Sequence, residues 1–188
     1  MLKRISDWLR GVSSGRAAAA ALLIFVLFSV WVLPGQSAAA ERYAGSAGSP
    51  DQSFVYSPSD LYRMAEAYGV QGRQAYVRAR FTFDLVFPLV YTLFLVTSIS
   101  WLFGKAFAPD STWRRANLVP LWGALFDFAE NVSAAAVMAR YPQRTPVLDV
   151  LASLFTPLKW VFVGGSFILL LVGVVAAARH WIGQRRSP

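Results

Sequence analysis

Four charged residues lie inside otherwise apolar stretches of this 188-residue chain: Asp84, Asp127, Glu130 and Lys159. Charge in such surroundings is costly and usually faces the interior of a helix bundle. At about 100° per residue, Asp127, Glu130 and Asn131 share one stripe with Asn117, Pro120, Gly123, Ala124 and Ala134. On the preceding run Asp84, Pro88, Tyr91 and Ser98 share a face, and on the following run Thr156, Lys159 and Ser166 do. Glu130 precedes Arg140 by ten residues, Lys159 follows Asp149 by ten, and Tyr91 follows Arg80 by eleven. Each therefore sits roughly 15 Å along its helix from the same end. A Glu130–Lys159 ion pair is expected, with Tyr91 and Asn131 within reach, Asp127 a turn deeper and Asp84 about two turns shallower.

Two readings of this cluster compete. An ion pair and an Asn can simply hold helices in register, since polar contacts between spans contribute about 0.6 to 2 kcal/mol each. Two carboxylates against one lysine also leave one acid without a counter-charge. Burial favours the neutral form of such an acid, the property that a general acid or proton carrier needs. Glu130 and Asp127 are the catalytic candidates. The buried polar cluster is Asp84, Tyr91, Asp127, Glu130, Asn131 and Lys159.

The rest of the composition narrows the chemistry. The chain has no cysteine and one histidine, His180. Thiolate nucleophiles, disulfides and multi-histidine metal sites are excluded, and no cofactor or metal motif is present. The net charge is +8, yet no arginine run is interleaved with aromatics as on a nucleic-acid surface. Anionic lipid explains that charge. The expected partners are membrane lipids and another membrane protein, with no nucleic acid.

The elements that must position the cluster are long apolar helices. Runs at about 17–34, 81–104, 116–140 and 148–178 each approach or exceed the ~20 residues a bilayer-crossing helix needs. The fold class expected is an all-α membrane protein: a four-transmembrane-helix bundle forming a single domain over 1–188. Ten basic residues flank the terminal side of such a bundle and seven the other, which places both termini in the cytoplasm of a multi-pass inner-membrane protein. The tail around Arg179, Trp181, Arg185 and Arg186 reads as an interfacial anchor. The first run competes with a cleavable signal peptide ending at Ala40, but its 17-residue apolar core exceeds the usual length of about 7 to 15. A retained span is expected.

Residues 35–80 form the outer segment. Its Ala, Ser and Gly content through Gln52 reads as flexible linker. Ser57-Pro58-Ser59-Asp60 then opens a short amphipathic helix over 58–68, closed by Gly69. From Gln71 the chain reads as one continuous helix into the second span, with Arg80 and Asp84 paired at i, i+4. The leading functional expectation is an accessory or scaffold protein held together by its polar cluster. The alternatives are an intramembrane acid–base enzyme acting on a lipid-like substrate and a small proton-coupled transporter. A lipid-accessible cavity at the acids separates the enzyme from the scaffold.

Overall fold

The structure, a computed structural model, describes residues 1–186; the side chains of Ser46 and of 184–186 are outside the described ones, and with them the expected anchor residues Arg185 and Arg186. The described residues are helical, with no strand among them. Eight α-helices follow in order: α1 (Leu2–Val12), α2 (Gly15–Trp31), α3 (Leu33–Ala44), α4 (Pro58–Ala67), α5 (Gly69–Arg80), α6 (Phe83–Ala106), α7 (Val119–Arg140) and α8 (Pro146–Arg186). Single turns of 3₁₀ helix occupy Gly45–Ala47 and Pro50–Gln52, and a longer one runs through Thr112–Leu118.

Three helical stretches are long and apolar enough to cross a membrane: Gly15–Ala44, Gly69–Ala106 and Pro146–Gly183. The expected third span, 116–140, is not among them. Asp127, Glu130 and Asn131, with smaller contributions from Pro120, Trp122, Gly123 and Ser133, lower its hydrophobicity. α7 is instead enclosed by several neighbouring helices. It lies along α8, is joined to it through residues 141–145, and also contacts α5 and α6. α6 packs on α8 and carries α2 on its other flank.

Three local expectations are corrected. Residues 35–44 are helical, not linker: α3 continues α2 after a break at Val32, because Ala-rich sequence has high helix propensity once a helix is nucleated. The helix entering the second apolar stretch is not continuous, since Phe81 and Thr82 form a turn between α5 and α6. Residues 2–12, read from sequence only as a basic flank, form an amphipathic helix. Ser6 is fully buried there and donates to Asn117 Oδ1 at 2.8 Å, while Asn117 donates to Ser100 Oγ at 2.9 Å. Asn117 thus binds α1 to α6 rather than extending the stripe of Asp127.

α4 starts on a full capping box. The Ser57 hydroxyl accepts from the Asp60 N–H and the Asp60 carboxylate accepts from the Ser57 N–H. These hydrogen bonds, backbone first, hold the exposed Asp60 carboxyl below its usual range. Gly69 has φ +60°, a conformation that opens α5 at a new angle and is easy only for glycine. α4 turns Leu61, Met64 and Ala65 onto Val137, Met138 and Ala152. This upper apolar core closes over the polar cluster; a second, of Phe94, Leu95, Ile99 and Phe103, lies below it on α6.

Candidate functional site

α7 presents Asp127, Glu130 and Asn131 on one side, and neighbouring helices bring up their partners. Lys159 Nζ on α8 lies 2.5 Å from Glu130 Oε2, and Thr156, one turn earlier, donates to Glu130 Oε1 at 2.6 Å. Glu130 is 2% exposed and Thr156 has no exposure, so the Glu130 carboxylate is buried between α7 and α8. A buried pair is stable only when the remaining lone pairs are also satisfied, and the Thr156 hydroxyl serves the second carboxylate oxygen.

Asp127 has different company. Tyr91 donates its phenol proton to Oδ2 at 2.9 Å, and Asn131 Nδ2 donates to Oδ1 at 3.2 Å. No lysine or arginine nitrogen lies within 4 Å of this carboxylate among the described residues. Tyr91 therefore serves Asp127, not Glu130.

Asn131 joins two halves of the cluster. Its side-chain oxygen accepts from Arg80 Nη1 at 3.2 Å, and Nδ2 also lies 3.4 Å from the carbonyl of Asp84. That carbonyl is the one Pro88 deprives of its helical partner, because proline four residues on has no N–H. The amide of Asn131 thus answers a gap in the α6 ladder.

Arg80 is the residue whose importance the sequence understated. It pairs with Asp84 at 3.0 Å and with Asp51, lies over the Tyr76 ring at 4.5 Å, and its side chain is 7% exposed. Asp51 comes from the segment expected to be linker. It also accepts from Tyr76 at 3.1 Å, and two residues on the Ser53 carbonyl accepts from Trp160 Nε1 at 3.0 Å. No periodic signal marked Asp51, since its place is set by long-range packing. Tyr56, just beyond that segment, is buried with its hydroxyl beside Thr156. Burial, then the nearby charge of Glu130, pushes its phenol well above its ordinary range.

The cluster thus holds four carboxylates, Asp51, Asp84, Asp127 and Glu130, against two cations, Arg80 and Lys159. It opens on a cavity of about 480 Å³. Asp51, Arg80, Asp84, Asp127 and Lys159 form the charged part of its wall; Glu130 does not line it. Much of the remaining wall is apolar and aromatic, with Phe25 and Leu33 from α2 and α3, Phe83 and Phe87 from α6, and Val163 and Phe167 from α8, while Ser29, Gln36, Ser37 and Gln52 add neutral polar groups. Phe25 stacks on Phe94 at 4.9 Å and meets Phe167 at 6.2 Å. Such a cavity, mostly apolar with a few convergent polar groups, has the form of a small-molecule site. No protein-family model matches this chain, and no curated protein or solved structure matches it.

Proposed function

We propose that this chain is an integral membrane protein that binds a lipid-like amphiphile, its apolar part between α2, α6 and α8 and its polar part at Asp127, Asp84 and Arg80. The observation that supports it most directly is the cavity of about 480 Å³, lined by a group of charged side chains and by many apolar and aromatic ones. A scaffold held by its polar cluster needs no such space. The buried Glu130 carboxylate, which does not line the cavity, fits a structural role, so Asp127 replaces Glu130 as the group offered to a ligand. In this reading α2, α6, α7 and α8 cross the inner membrane as a four-helix bundle with both termini in the cytoplasm, and α7 is tolerated there because its acids are enclosed by neighbours.

Native mass spectrometry from a mild detergent tests it. Wild-type protein is expected to retain one lipid-sized adduct. Ala79→Trp, which fills the cavity from α5, is expected to lose it while keeping the helical content. Equal adducts on both proteins, or none on either, would reject the reading.

A further inference from the structure

The charges on the cavity wall select among amphiphiles. This inference rests on the binding reading above and concerns the class of head group. Arg80 is already neutralised by Asp51 and Asp84, and Lys159 by Glu130. Asp127 alone among the four acids has no cation within 4 Å among the described residues, and it faces the cavity. Its two bonded donors, the Tyr91 hydroxyl and the Asn131 amide, are both neutral. A carboxylate has about four acceptor positions, so positions remain open for a ligand.

The surroundings point the same way. Phe87 and Tyr91 line the cavity beside Asp127 and meet edge to face at 5.6 Å. Aromatic faces attract ammonium groups, and more so where water is excluded. An anionic head would instead enter a site where four carboxylates already outnumber two cations. Size adds a limit. At roughly 30 Å³ for each water-sized group, 480 Å³ corresponds to about 16 such groups, close to the size of one long chain with its head.

We propose that the cavity takes a single-chain amphiphile with an amine head, whose ammonium sits on Asp127 against Phe87 and Tyr91 and whose chain runs past Phe25 and Phe167. The ammonium would supply the counter-charge that Asp127 lacks. The positively charged Arg80 and Lys159 would take no direct part, because their charge is committed to other carboxylates.

The test uses full-length protein in zwitterionic nanodiscs and three tritiated probes of equal chain length: hexadecylamine, hexadecanol and hexadecanoate. Binding is read by scintillation proximity. The amine is expected to bind about tenfold more tightly than the other two, the value of one desolvated charge-assisted contact. Asp127→Asn should remove that preference, so that the amine binds no more tightly than hexadecanol. Ser29→Trp, which obstructs the cavity from α2, should abolish binding of all three. Hexadecanoate binding as tightly as the amine would overturn the head-group inference and leave the cavity reading standing. So would amine binding indifferent to Asp127→Asn. Failure of all three probes on wild-type protein would remove both. Should Asp127→Asn not yield folded protein, the ranking of the three probes on wild type decides the proposal by itself.

Discussion

Removing Lys159 tests whether the buried ion pair is a structural fastening. At the observed 2.5 Å, two unit charges attract by about 6 to 7 kcal/mol at an effective dielectric of 20. Desolvating each ion costs several kcal/mol, so the net contribution of the intact pair is small. Lys159→Met changes that balance, because it leaves Glu130, 2% exposed, charged beside a single hydroxyl donor. Breaking one partner of a buried pair costs about 3 to 5 kcal/mol in soluble proteins. Between helices in lipid the loss is smaller, since separated helices also find partners. The expected loss is therefore about 2 to 4 kcal/mol. Glu130→Gln added to Lys159→Met removes the lone charge, keeps a carbonyl for Thr156, and should recover at least half of that loss. Reversible unfolding in mixed micelles measures all four proteins of the cycle. If the two single losses simply add, the side chains do not interact and the pairing argument fails.

Tyr56 and Gly173 give two further expectations. The Tyr56 hydroxyl is buried beside Thr156, whose own proton is committed to Glu130, so Tyr56→Phe should change stability at pH 8 by no more than about 1 kcal/mol in either direction. Its folded-state pKa lies above the unfolded value of about 10. The neutral phenol's contribution is thus complete below pH 10 and is lost as pH rises beyond it. Thermal unfolding at pH 8 and pH 11 should show a smaller alkaline loss in Tyr56→Phe, and an identical loss would refute this. A Cβ on Gly173 would lie 2.8 Å from Phe103 Cε2 and 3.2 Å from Leu102 Cβ, and Phe103 has no exposure. Gly173→Ala should accordingly destabilise by about 1 to 3 kcal/mol, the range for overpacked cores, in the same micelle assay.

How much of this could be read from the sequence differs by element. The apolar runs around α2, α6 and α8 were legible because hydrophobicity is a local property of the chain. The Ser57 cap was legible because its partners lie within four residues. The contact between Lys159 and Glu130 could be anticipated because a short turn makes α7 and α8 antiparallel neighbours, which turns distance from the turn into depth. Asp51 could not, since its meeting with Arg80 spans 29 residues and depends on how α3 and the 3₁₀ turns fold back. The pairing of Asn117 with Ser6 spans 111 residues and was hidden for the same reason. The cavity itself left no mark. It arises from the way α2 leans on α6 while meeting α8 through Phe25 and Phe167, and side-chain periodicity reports faces, not the spaces between them.

The composition of α7 bears on how such a chain reaches the bilayer. A helix carrying Asp127 and Glu130 is a poor substrate for insertion alone, because each central acid adds about 2.5 to 3.5 kcal/mol to its transfer. α8 brings its own penalty in Lys159. Entered one at a time, the two helices would expose three charges to lipid. Entered together, as the hairpin that residues 141–145 define, they would neutralise Glu130 and Lys159 against each other and leave Asp127 as the one acid still to be covered. In the proposed four-span arrangement, α7 and α8 would therefore enter as one hairpin. The preceding α6, which can insert on its own hydrophobicity, offers the surface where Tyr91 receives Asp127 once the hairpin arrives.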